Sequence, residues 1–269
     1  MMRKTILTLA AAVLLCGCSS APAEEKAEAV IDKNVPITRG QAVKMLALSR
    51  YTPNEINALP RSIDLEDSDI SNWCDKYINA AVKAGIISGT QENTFLQNDM
   101  LTLEQADFIL KKAAEGKNLV LQYNKEDRKK PISMDVWLQE FEAIKGSAQE
   151  KEIVILADKK LCPELSDNFV FSSEGLLCSD GLDIRPEYIN KGIKAYIRDG
   201  SILALTEITT NTPTINNAVC ESIVDGGAVM NIKGCHIFCR CDTAALGLGE
   251  GQTYNIKISD NCITELVSP

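Results

Sequence analysis

The densest set of reactive side chains in this 269-residue chain is Cys235-His236-Ile237-Phe238-Cys239-Arg240-Cys241. Laid on a β-strand, Cys235, Ile237, Cys239 and Cys241 share one face and His236 points to the other. Three thiols in line could hold a soft metal, form disulfides or stay reduced. Structural zinc draws its ligands from two short-spaced pairs, and Cys162, Cys178, Cys220 and Cys262 are isolated. Cys235, Cys239 and Cys241 are therefore an incomplete metal set, and no cofactor is expected. Cross-strand disulfides are the expectation, because an exported chain with eight cysteines beyond Cys18 can pair them all; packed thiols are the remaining alternative.

Other routes to catalysis lack their parts. His236 is the only histidine, and no G-x-S-x-G stretch offers it a nucleophile. Beside Ile237 and Phe238 it reads as a satisfied strand residue. Glu66, Asp67 and Asp69 could pair as carboxylates for glycoside hydrolysis. They precede a helix, however, where acids suit the dipole. Gly247-Leu248-Gly249-Glu250-Gly251 has no following Lys or helix, so it reads as a turn and not a phosphate cradle. The expectation is a protein that is not an enzyme; the alternative is a wall-modifying accessory or a metal or redox protein using Cys235–Cys241.

The ends and the charge say where such a protein works. Arg3 and Lys4 precede an apolar run, Ile6 to Leu15, too short to span a bilayer. Leu15-Cys16-Gly17-Cys18 resembles a bacterial lipobox, which implies a signal peptide over 1–17 and acylation of Cys18. An ordinary secretory signal is the other reading. Residues 18–35, beginning Cys18-Ser19-Ser20-Ala21-Pro22, form a small, charged tether. The net charge of −9 argues against nucleic acid and against adsorption to anionic lipid. Membrane attachment would come from the N-terminal lipid, placing the chain outside the cytoplasm, in the envelope of a bacterium.

Residues 36–146 are patterned as helices. Pro36-Ile37-Thr38-Arg39-Gly40-Gln41, Met100-Leu101-Thr102-Leu103-Glu104-Gln105 and Pro131-Ile132-Ser133-Met134-Asp135-Val136 each place an aliphatic residue before a hydroxyl N-cap. The first two also complete a capping box. Apolar residues follow at helical spacing, Val43, Leu46 and Ala47 in the first and Ala106, Ile109, Leu110 and Ala113 in the second. Thr52-Pro53-Asn54-Glu55 opens a short helix, Gly85 ends another, and Trp73, Tyr77 and Phe95 read as core. Leu119-Val120-Leu121 is expected as a strand before the charged loop 124–130, which reads as solvated.

Trp73, Ala80 to Gly85, Ile86-Ile87-Ser88-Gly89 and Glu92-Asn93-Thr94-Phe95, followed by Leu101-Thr102-Leu103-Glu104, resemble a surface-layer homology domain across about 110 residues. That family acts in threefold sets and holds cell-wall polysaccharide in grooves beside its helix starts. The resemblance implies Thr38, Arg39 and Trp73 as glycan contacts. Gly85, Gly89 and Phe95 become loop-shaping residues, and a secondary wall polymer becomes the partner. The copies depart from the pattern: Leu103 replaces the arginine in the second, and Ser133-Met134-Asp135 keeps neither base nor Glu.

Residues 151–269 alternate as strands. Ile193 to Arg198 and Ile202 to Leu205 flank Asp199-Gly200-Ser201, and Tyr254 to Ile258 and Cys262 to Leu266 flank Ser259-Asp260-Asn261. The fold class expected is α+β: a helical domain followed by one small all-β barrel or sandwich, carrying cysteines and able to dock an envelope protein.

Overall fold

The computed structural model describes residues 30–267 apart from 64, 68–71, 89–93, 118, 164, 210–212 and 260. The leader, Cys18, Asp69, Gly89, Glu92 and Asn93 lie outside the described residues. The chain is α+β, with its main helices N-terminal and its strands C-terminal. The helices are α1 (Arg39–Arg50), α2 (Pro53–Ala58), α3 (Asp75–Lys83), α4 (Leu103–Ala113) and α5 (Met134–Phe141).

Local chemistry sets their starts. Thr38 with Gln41, Thr52 with Glu55 and Thr102 with Gln105 form complete capping boxes, and Ser133 accepts from the Val136 N–H. Thr102→Ala is expected to cost about 1 kcal/mol, read as a lower urea midpoint with an unchanged slope. After α3 the chain turns at Gly85, whose φ of 70° a residue with a Cβ disfavours. Leu119–Leu121 is not the expected strand. Its backbone is irregular; the Leu121 N–H donates to Asp107 Oδ1 at 3.2 Å instead of to a ladder.

Ten strands follow: β1 (Gln149–Ala157), β2 (Phe169–Ser172), β3 (Gly175–Cys178), β4 (Gly192–Arg198), β5 (Ser201–Thr209), β6 (Ile215–Val224), β7 (Gly227–Ile232), β8 (Cys235–Arg240), β9 (Thr253–Ser259) and β10 (Cys262–Val267), with a single turn of helix, α6 (Thr243–Leu246), between β8 and β9. They do not form the one small barrel or sandwich expected. They make two five-stranded sheets, each closed on itself. The first runs β1-β2-β3-β5-β4 and returns to β1; the second repeats the order as β6-β7-β8-β10-β9. Each is sealed by one parallel bridge, Cys178 to Ser201 in the first and Arg240 to Cys262 in the second. The two strand–turn–strand units legible in the sequence are the same hairpin, β4–β5 and β9–β10, of these duplicated sheets.

Strand β1 explains how both halves of the β region stay together. Ile153 and Ile155 face the core of the first sheet, whereas Val154 and Leu156 pack into the second. Its unbroken apolar run thus reflects burial on both faces. On the other side, Tyr196, Leu203 and Ala204 of β4 and β5 join the helical core around Trp137 and Phe141. Phe141 meets Tyr196 edge-on at 6.0 Å.

Candidate functional site

The three capped starts meet. Ile37 N–H donates to the Ile132 carbonyl, Ile132 N–H to Leu101 and Leu101 N–H to Ile37, at 2.9–3.1 Å. The next residues repeat the relation: Arg39 donates to the Asp99 carbonyl, Leu103 to Lys130 and Met134 to Val35. A third tier joins Gly40 to Gln97, Glu104 to Arg128 and Asp135 to Lys33. The helix N-termini, whose first N–H groups find no partner in their own helix, are satisfied by the strand-like residue before the neighbouring start. The carbonyls of the basic loop 124–130 serve the second start in this way, which gives that loop a structural task.

One groove between these starts is furnished for a ligand. It has a volume of about 340 Å³ and is lined by Arg39 and Val43 of α1, Ile87 and Ser88, Phe95, Leu101, and Glu104, Gln105, Phe108 and Ile109. Arg39 Nε donates to the Phe95 carbonyl at 2.8 Å, and its guanidinium lies 4.9 Å from the Phe95 ring centroid. Burial holds the Arg39 pKa below its ordinary value, against the opposing pull of the Asp99 and Asp67 charges. Among the described residues its two terminal NH2 groups have no hydrogen-bond partner. The fork is fixed at one end and open at the other, as bidentate capture of a carboxylate or phosphate requires.

Asp67 holds the loop that carries Phe95. Its carboxylate accepts from the Phe95 N–H at 2.8 and 3.0 Å and from the Leu96 N–H at 2.6 Å. This is a loop clamp and not the dipole partner that its place before α3 implies. Phe108 is 52% exposed at the opposite wall. Sequence reasoning passed it over, although it falls off the Ala106, Ile109, Leu110 stripe of α4 and so was marked as an aromatic with no place in the core.

The residues singled out for glycan do not all gather here. Thr38 adjoins the groove, but its hydroxyl is engaged in the capping box. Trp73 is elsewhere: its ring meets that of Tyr77 at a tilt, with centroids 6.2 Å apart, and packs on Gly181, where a Cβ would come within 2.3 Å of the indole. Leu103, in the arginine's place at the second start, is partly buried against the helical core.

The cysteine cluster is rearranged as well. Cys235 and Cys239 are buried inside the second sheet and His236 is outside, as strand alternation predicts. The expected disulfides are not present: none joins any two of the eight described cysteines. The register explains it. Cys235 faces Ile232, Cys239 faces Ala228 and Cys220 faces Met230, so no thiol in these ladders meets a thiol. Burial pushes Cys235 and Cys239 up to about 12. Among the described residues no three His, Cys, Asp or Glu side chains converge for a metal. His236 Nδ1 lies 2.5 Å from Glu221 Oε2. Burial opposes charge on Glu221, yet hydrogen bonds from Asn231 and His236 outweigh it and hold the carboxyl below its usual range.

A helical unit with three interlocked capped starts and one groove carrying an open arginine defines a binding module. Residues 67–106 match the family model of the S-layer homology domain, and the protein is accordingly an S-layer homology domain-containing protein. The match runs from the Asp67 clamp through Phe95 to Ala106; Thr38, Arg39 and the third start lie outside it. No curated protein and no solved structure matches the chain. Domains of this family bind secondary cell-wall polymers and associate with the cell envelope. No described helix is long and apolar enough to cross a membrane.

Proposed function

We propose that this is a non-catalytic envelope lipoprotein that holds an acidic wall polysaccharide in the Arg39 groove. Residues 1–17 would be removed as a signal peptide, the acylated Cys18 would enter the membrane, and 18–35 would tether the folded part. The SLH-like helical unit, 36–146, contacts the wall, while the β region, 151–269, stands away from it as two small closed barrels able to dock an envelope partner. The observation that carries the reading is Arg39: a half-buried guanidinium with its fork open to a groove walled by Phe95 and Phe108. An anionic group on the polymer takes the fork, and the aromatic walls take sugar C–H faces. Thr38 contributes as the cap that aims Arg39. Gly85 and Phe95 shape the loop. Trp73 is not assigned to the glycan, because its ring is spent on Gly181.

Cosedimentation with purified sacculi tests this. Arg39→Ala is expected to lower retention at least tenfold (about 1.4 kcal/mol) while circular dichroism and the urea midpoint show the protein still folded. Retention of the Arg39→Ala protein equal to the parent would remove the glycan assignment. Radiolabelled palmitate incorporation, lost on Cys18→Ser, tests the anchor separately.

A further inference from the structure

The threefold relation among the helix starts can be followed residue by residue. Arg39, Leu103 and Met134 are the first residues of α1, α4 and α5. Their N–H groups donate to the carbonyls of Asp99, Lys130 and Val35, and the next residues, Gly40, Glu104 and Asp135, donate to Gln97, Arg128 and Lys33. Three short segments are therefore equivalent: Gln97-Asn98-Asp99, Arg128-Lys129-Lys130 and Lys33-Asn34-Val35.

The equivalence shows where each start keeps its positive charge. At the first, the helix supplies it as Arg39, and the segment supplies Asp99, whose charge acts on that guanidinium. At the third, Lys33 pairs with Asp135 at 3.5 Å, so the two sides neutralise each other. The second start is reversed: Leu103 packs against the helical core, and the cations lie on the segment. Lys130 is held by Asp127 at 2.7 Å. Arg128 and Lys129 are exposed, and among the described residues neither side chain has a hydrogen-bond or ion-pair partner.

The backbone beneath these two cations is fixed, because the carbonyls on either side of Lys129 cap α4 and the Lys130 N–H donates to the Asp127 carbonyl at 2.7 Å. Glu104, whose N–H the Arg128 carbonyl accepts, also lines the Arg39 groove. The cationic segment thus adjoins the α4 wall of that groove, and a polymer leaving the groove over α4 meets it.

From this arrangement we propose that Arg128 and Lys129 form a second contact for an acidic polysaccharide, taking the acid group of a repeat beyond the one held by Arg39. The proposal rests on the groove reading and extends it from one repeat to a polymer. Two weak contacts on one chain reinforce each other, because the second forms at the effective concentration set by the first. An anionic lipid surface is the competing occupant, and the net charge of −9 disfavours it.

Cosedimentation of the full chain with purified sacculi, in neutral detergent and at rising salt, tests this. Arg128→Gln together with Lys129→Gln is expected to weaken retention about fivefold at low salt and to flatten its salt dependence. Both side chains are exposed and the capping carbonyls are untouched, so the urea midpoint should not move. A control, Lys159→Gln with Lys160→Gln, removes the same charge from the β1–β2 loop and should be retained like the parent. Loss in Arg39→Ala, with the Arg128/Lys129 double variant at parental retention, would overturn this inference and leave the groove reading standing. Loss in the double variant, with Arg39→Ala at parental retention, would support the segment's contact and remove the groove. Parental retention in both would overturn both. Equal loss in the control would reduce the effect to net charge and overturn the inference. So would parental retention of the double variant on sacculi with weaker binding to micelles carrying phosphatidylglycerol, which would assign the segment to lipid.

Discussion

Replacing Asp180 by alanine is expected to destabilise the protein by about 3 kcal/mol, the largest loss anticipated from any single polar residue here. Asp180 is 1% exposed and lies where the helices meet the first sheet. Its Oδ2 accepts from the Tyr77 hydroxyl at 3.0 Å and pairs with Lys76 at 2.7 Å, and its main-chain carbonyl accepts from Lys44 Nζ at 2.5 Å. Gln41, two residues from Arg39, donates to the adjacent Gly181 carbonyl at 3.3 Å. Lys76 is partly exposed and can turn to water when the carboxylate is lost. Lys44 and the Tyr77 hydroxyl cannot, and an uncompensated buried charge is what makes breaking such a cluster costly. The urea midpoint should fall with the slope unchanged. A fall of under 1 kcal/mol would mean that the apolar contacts of Trp73, Tyr196 and Leu203 hold the junction alone.

The second large effect is a pH dependence. Lys44 is 1% exposed, and burial pulls its amine down to about 8 from 10.5, with the Cys178 and Asp180 charges opposing. The folded chain therefore releases this proton at lower pH than the unfolded chain. Below about pH 8 the penalty for keeping the buried amine charged is fully present. Between about 8 and 10.5 the unfolded chain binds more protons and stability rises with pH, by about 3 kcal/mol over the whole interval. Lys44→Met removes the titration, so its stability advantage over the parent should shrink by about that amount from pH 7.5 to 10.5. The groups facing Lys44 from α3 and the first sheet are Lys76, Asp180, Cys178 and Cys74, and Tyr77 shares Asp180 and Cys178 with it. Burial raises the pKa of Cys74, to about 12, and of Tyr77 and Cys178 as well. Their titration lowers stability at high pH in both proteins and cancels in the comparison. A gap that stays constant with pH, measured by chemical denaturation, would refute the assignment to Lys44.

What could be read in advance was local. The Thr38, Thr52 and Thr102 boxes each link residues three apart. The Gly85 stop and the two β hairpins are likewise decided by neighbours, because turn and cap chemistry acts within one turn of chain. The same locality made Arg39 visible. The alternation of β8 was readable too, and with it the inward Cys235 and Cys239 and the outward His236.

Long-range pairing was not readable. Trp73 looks like a family glycan contact, but its fate depends on Gly181, far along the chain; Tyr77 and Asp180, its neighbours at the junction, are 103 residues apart. The disulfide expectation failed because counting cysteines gives parity and not register, and register sets Cys239 against Ala228. The single β domain became two because closure of a sheet depends on which strand returns to the first. Two parallel bridges decide that, and no hydrophobic pattern encodes them. By itself the sequence determined the helical module, its three capped starts and the arginine at one of them. Tertiary structure alone decided that these starts interlock, that one groove lies open beside Arg39, and that a buried lysine and aspartate join the helices to the sheets. Caps and turns draw their energy from adjacent residues, whereas grooves and junctions take theirs from surfaces that meet only after the chain has folded.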